Sequence, residues 1–286
     1  MISNKDKALN YLYAFQEGKI KKGLGIGNIL DDYLLFKKGS FNIIVGLDNV
    51  GKTNFIMWYF LCLSKHHNKR WCIWSGENSE GQLKRDLIQM YTAKKITELS
   101  KDEIVYYNDI ISKWFLFVDN TRMYSHKDLL KLFKQHKVDG CLIDPFTGLN
   151  HDRRVNQFER NYLICNDIRD FCNNTGIAIY INTHPMTEAA RRVYPHNVEL
   201  AGYIQPCKKS DVEGGQVFAN RCDQFISIHR MLNHPILWMM TEIRIEKIKD
   251  KFTGGKPTDL DKPLRFDFNS GMGFTIGGVN SLKLKL

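Results

Sequence analysis

From residue 41 onward the chain alternates short, almost unbroken apolar runs with longer segments of helical spacing. The runs "FNIIV", "WCIWS", "WFLFV", "GCLID", "IAIYIN" and "QFISI" read as strands, because each is short, rich in β-branched or aromatic residues and bounded by turn formers. Residues 52–66, 80–93, 126–136 and 156–174 carry the periodicity of helices. Strands this apolar have to be covered on both faces. The alternation therefore predicts an α/β fold, a mostly parallel central sheet with helices on both sides. Past residue 235 the pattern becomes strand, turn, strand in "LWMMTEIRIEKI", "LRFDF" and "GFTI", which predicts an antiparallel β extension at the C-terminal edge.

Residues 1–22 read as an N-terminal helix and linker, with Leu9, Leu12, Tyr13 and Phe15 on one rough face, and residues 23–286 as one core domain. Gly23, Gly25 and Gly27 imitate a dinucleotide fingerprint, but they precede the first strong strand instead of following it, so that reading is rejected. Seven cysteines without a C-x-x-C pair argue for reduced thiols in a cytosol-like compartment, with neither a disulfide framework nor a zinc site. The pair His66–His67 reads as a solvated helix end. No apolar stretch approaches the ~18 residues of a membrane span. The formal charge of +10 suits a polyanionic partner.

Chemistry enters at residues 46–53, "GLDNVGKT", which fit G-x-x-x-x-G-K-[ST] between a strand and a helix. Gly46 and Gly51 let backbone N–H groups curl around phosphates, and the following helix points its positive end at them. Lys52 is expected to reach the β- and γ-phosphates of ATP or another NTP, and Thr53 to hold Mg²⁺. Asn49 and Asn54 complete the candidate nucleotide contacts. Asp144 ends the apolar strand "GCLID", where a second metal-shell acid belongs. Glu77 follows "WCIWS"; strand ends in a parallel sheet converge on the ligand crevice, so it is the candidate base for water. Glu80 is the expected helix-capping acid.

These blocks, in this order, resemble the RecA-fold motor domain of replicative hexameric helicases, the DnaB-like group, and within it the phage primase-helicase and Twinkle branch. The similarity runs from about residue 23 to about 275. It implies a RecA-like P-loop core, catalytic duty for Glu77, a γ-phosphate sensor at His184 within "THP", and Mg²⁺ at Thr53 and Asp144. The block "SDVEGGQVFANRCDQFISIHR" is similar to that family's DNA-facing loop and next strand. It makes Gly214, Gly215, Asn220 and Arg221 candidate contacts to one DNA strand. Arg191, Arg192, Lys208 and Lys209 supply positive charge on the flanking segments.

One departure concerns the arginine that the family lends from a neighbouring subunit. The matching segment "EKIKDKFTGG" holds Lys247, Lys249 and Lys251 instead. The trans cation is then Lys249 or Lys251, with Arg244 as the substitute. Lysine is a point charge without the planar fork of arginine. The resemblance implies an ATP-dependent DNA helicase, a homo-hexameric ring moving 5′-to-3′ on single-stranded DNA. No membrane partner is expected, and residues 5–17 are expected to pack on the adjacent subunit. With no primase segment in the first 40 residues, a separate primase or loader is expected. The location is then a host cytoplasm if the chain is phage-encoded. The alternative is a RecA- or KaiC-like ATPase without unwinding activity, and a third class is a catalytically silent ATP-binding subunit.

Overall fold

The computed structural model describes residues 5–151 and 154–286. Nine strands form one sheet: β1 (Phe41–Val45), β2 (Trp71–Ser75), β3 (Phe115–Phe117), β4 (Gly140–Asp144), β5 (Ala178–Thr183), β6 (Gln224–Arg230), β7 (Met240–Ile248), β8 (Leu264–Phe268) and β9 (Phe274–Thr275). Their order is β3-β2-β4-β5-β1-β6-β7-β8-β9. The first six are parallel to one another, and β7, β8 and β9 continue the sheet antiparallel. The expected fold class is observed, antiparallel C-terminal edge included.

The helices are α1 (Lys5–Gln16), α2 (Lys52–His67), α3 (Glu80–Thr92), α4 (Lys101–Trp114), α5 (His126–Gln135), α6 (Gln157–Thr175), α7 (Thr187–Arg191), α8 (Gln216–Arg221) and the single turn α9 (Lys251–Gly254). Every residue of β1, β2, β4, β5 and β6 is buried, as a doubly covered sheet requires. Alternation along the strands feeds two cores. Ile44 joins α2 and α3 on one face, while Phe41, Ile43 and Val45 join α5 and α6 on the other. Helix α2 is apolar nearly all round and runs beneath the sheet as a central helix. Its Phe60 stacks on Trp71 with ring centroids 3.8 Å apart.

Three local expectations are corrected. Trp114 ends α4 and does not begin a strand; Phe115 N–H closes the helix onto Ile111 O, leaving β3 only three residues. Helix α4 itself is amphipathic, with only Ile111 fully buried, and it runs straight into an aromatic strand that blurs its period. The cap of α3 is Ser79, in a capping box with Gln82, while Glu80 pairs with Lys84 at 2.9 Å. His66 and His67 are half-buried: their Nε2 atoms meet Ser281 O and Gly25 O, both at 2.8 Å, and so hold the C-terminal tail and the lead-in.

The early glycines have a structural task. The Asp31 carboxylate accepts from the Ile26 and Gly27 N–H groups, both at 2.7 Å, and a Cβ on Gly25 would lie 2.3 Å from it. Helix α1 has no buried residue, and Phe15 touches Phe252 with centroids 4.7 Å apart. All seven cysteines are buried and unbridged. Among the described residues there is no metal-binding cluster of His, Cys, Asp and Glu, and no helix is long and apolar enough to cross a membrane.

Candidate functional site

β1 ends at Val45, and the chain turns through Gly46–Gly51 into α2. Close packing selects the first glycine, since a Cβ there would lie 2.4 Å from Ile228 O. Gly51 sits at φ +89° as the N-cap of α2, a left-handed position that glycine adopts without strain. It supplies no side-chain acceptor, so the first N–H groups of a sixteen-residue helix are presented to the cleft. Lys52 Nζ lies over the loop, donating to Gly46 O at 2.8 Å and Leu47 O at 2.9 Å. Burial pushes its pKa down, against the pull of Asp144, Asp48 and Glu77.

The acids arrive from neighbouring strand ends. Asp144 closes β4 in register with Ser75 of β2 and is 2% exposed. Its Oδ2 accepts from Thr53 Oγ1 at 2.7 Å and its Oδ1 from Asn182 Nδ2 at 2.8 Å. Burial raises its pKa, and those two hydrogen bonds oppose the rise. Glu77 stands on the turn after β2. That turn is pinned by Gly76 N–H on Asp144 O at 2.8 Å and by Asn120 Nδ2 on Ser75 O and Asn78 O. His184, just past β5, sets Nδ1 2.9 Å from Asp48 Oδ1 and Nε2 3.9 Å from Glu77 Oε1. Asn49, Gly51, Lys52, Thr53, Asn54, Glu77, Asp144 and His184 thus line one cleft of about 790 Å³.

A hydroxyl and a carboxylate in contact form a hard oxygen set that fits Mg²⁺. That ion is usually held by one or two carboxylates and by phosphates, not by an all-protein cage. Asn182 belongs to the site and was missed from sequence; the available signal was an amide inside the apolar strand beside Asp144. Asn182→Ala is expected to weaken Mg²⁺ dependence by about 10–100-fold, as loss of a ligand's orienting partner does. A Mg²⁺ titration of nucleotide binding that matches the parent protein would refute this. Arg230 was also missed. It closes β6, lies 3.0 Å from a Cβ built on Gly51, and stacks over Phe268 at 4.2 Å. Burial lowers its pKa to about 10.

The candidate DNA-facing residues lie on the long connection from β5 to β6. Arg191 ends α7 and is exposed, as are Lys208 and Lys209. Arg192 is engaged within the fold, bonded to both Asp211 carboxylate oxygens at 2.5 and 3.1 Å and to Pro206 O. Gly214 and Gly215 take φ values of +98° and +90°. Arg221 donates to Tyr162 OH at 2.6 Å, and Asn220 O accepts from Lys247 Nζ at 3.0 Å. This loop is pinned to the cleft: Glu213 N–H donates to His184 O at 2.9 Å, and Met186 N–H to Asp211 O at 2.7 Å.

The candidate trans cations sit elsewhere. Ile248 pairs with Gln224, at the start of β6, whereas Arg230 at its end lies by the phosphate loop. The lysines therefore stand at the sheet edge opposite the cleft of their own chain. Lys247 Nζ is committed to the carbonyls ending α8. Arg244 is held by Glu242 and Leu260 O. Lys249 is 62% exposed, 3.7 Å from Asp223 Oδ1, and Lys251 is exposed at the start of α9.

Solved structures share this arrangement of strands and helices. One match is a helicase-sized ATPase domain, which superposes with a TM-score of 0.78 over 96% of this chain and 99% of that one, at 15% identity. The fold is RecA-like. A second match is the structure of a DnaB-like replicative helicase and its interactions with primase, with a TM-score of 0.72, 96% of this chain, 67% of that chain and again 15% identity. No protein-family model matches the sequence, and no curated protein matches it.

Proposed function

We propose that this chain is the motor of an ATP-dependent DNA helicase, a homo-oligomeric ring, most simply a hexamer, that draws single-stranded DNA through its centre. Residues 23–286 carry the motor and residues 1–22 the linker. The observation that supports coupling is the backbone pairing of residues 184–186 with residues 211–213, because one rigid ladder joins the γ-phosphate side of the cleft to the glycine turn. A shift of His184 with nucleotide state moves Glu213 and the Gly214–Gly215 turn with it.

In this reading the loop N–H groups and Lys52 hold the β- and γ-phosphates. The Glu77 carboxylate accepts the proton of the attacking water as its oxygen adds to the γ-phosphorus. His184 keeps Glu77 and Asp48 in register with that phosphate. Mg²⁺ held at Thr53 and Asp144 supplies charge neutralisation on the phosphate oxygens. Lys249 or Lys251 of the next copy neutralises the γ-phosphate from outside. A separate primase or loader is the expected further partner.

Strand displacement on synthetic forks tests the reading. One fork carries only a 5′ tail and the other only a 3′ tail, with ATP, Mg²⁺ and a Lys52→Ala control. Unwinding confined to the 5′-tailed fork and lost in the control is the expected result. DNA-stimulated turnover without unwinding of either fork would transfer the assignment to a filament-forming ATPase.

A further inference from the structure

Two aromatic rings on the amino-terminal half of α6 face solvent. Phe158 is 67% exposed and Tyr162 is 41% exposed. They stand four residues apart on one helical face, about 6 Å along the axis. Tyr162 is held from one side by Arg221, whose guanidinium carbon lies 4.7 Å from the ring centroid and whose Nη2 donates to the phenol at 2.6 Å. Between the two rings, fully buried Asn161 donates its Nδ2 to Gly214 O at 3.0 Å, locking this helix face to the glycine turn. Helices α6 and α8 are thereby fastened into one surface. The acid on this face, Glu159, is tied to its own turn through Asn156.

We infer that Phe158 and Tyr162 form a base-stacking platform for single-stranded nucleic acid, with Arg221 holding the adjacent phosphate. The inference rests on the proposed DNA-motor function and adds a base contact to it. An aromatic ring offers a π-face that any base can stack on, so such a platform grips a strand without reading its sequence. Arg221 fixes the Tyr162 ring in orientation, stacks on it as a cation, and leaves its outer face available. The spacing of one helical turn is comparable to the span between adjacent nucleotides of an extended strand. A chain of net charge +10, with a cation inserted between exposed aromatics, favours this partner over an apolar protein surface.

The test is fluorescence anisotropy on the full chain with a non-hydrolysable ATP analogue. The probes are labelled oligothymidylate and an abasic strand of equal length. The parent protein is expected to bind the base-bearing strand at least about tenfold more tightly. Phe158→Ala and Tyr162→Ala should each lose about tenfold on oligothymidylate and nothing on the abasic strand, with unchanged Tm. Tyr162→Phe, which keeps the ring, should retain most of the preference. Equal affinity of the parent protein for both strands overturns the platform while leaving the motor reading intact. A Phe158→Ala protein that keeps its base preference but falls to a smaller oligomer makes Phe158 a contact between copies, which also overturns it. Binding of neither strand by the parent protein would remove the motor reading itself.

Discussion

Glu77→Gln is expected to slow ATP turnover by about 10²–10⁴-fold, the usual share of a general base, while leaving nucleotide affinity nearly unchanged. The substituted side chain has the same size and can still hydrogen-bond, but its amide cannot accept the proton that water must lose. The turn that carries Glu77 is held by Gly76, Asn78 and Asn120, so the exchange should not move the backbone. Lys52→Ala should behave differently, losing affinity as well as rate, because that ammonium is the cation of the loop. Single-turnover hydrolysis beside equilibrium binding separates the two. A Glu77→Gln protein that turns over at the parent rate would hand the base role to another group or make the subunit catalytically silent.

Lys249→Ala should cost about 10³-fold in turnover, the low end of what a trans cation supplies to phosphoryl transfer. Lysine belongs at the low end because it lacks the two-pronged geometry of arginine. Lys249→Arg should therefore be at least as active as the parent. The competing residues are weaker candidates on structural grounds: Lys247 is committed to the end of α8, and Arg244 to Glu242 and Leu260 O. Lys251 is the remaining rival, and the same substitution there decides between them. Mixing provides a sharper check. In a head-to-tail ring each site draws Lys52 from one copy and the trans lysine from the next. Equimolar Lys249→Ala and Lys52→Ala proteins, each inactive alone, should regain activity at roughly a quarter of their interfaces. Absence of any recovery would mean that the lysine acts within its own chain or not at all.

Residues 46–53 could be read directly because a phosphate loop is a local object. Its glycines, lysine and threonine are consecutive, and their conformations follow from neighbours within a few positions. The strands were legible for a related reason: a doubly covered strand writes its burial as an unbroken apolar run. Helix α4 was less so, since half of its surface faces water and its last residue leads into an aromatic strand. Asp144 and Glu77 could be located because strand ends in a parallel sheet meet at one edge, whatever the order of the strands.

Strand order itself, and everything that depends on it, was decided in three dimensions. Asn182 reaches Asp144 only because β5 lies beside β4, and Arg230 covers Gly51 only because β6 lies beside β1. Arg192 looked like a free surface cation until the loop folded it onto Asp211, nineteen residues away. Phe158 and Tyr162 were two apolar letters in a helical pattern, and their exposure beside Arg221 emerged only when α6 met α8. The sequence by itself determined the phosphate loop, its acids and the class of the fold, because those follow from local geometry and from hydrophobic period. The tertiary structure alone decided which polar groups are paired, which cations remain open and which rings face solvent. Those depend on contacts between residues far apart in the chain, and periodicity carries no record of them.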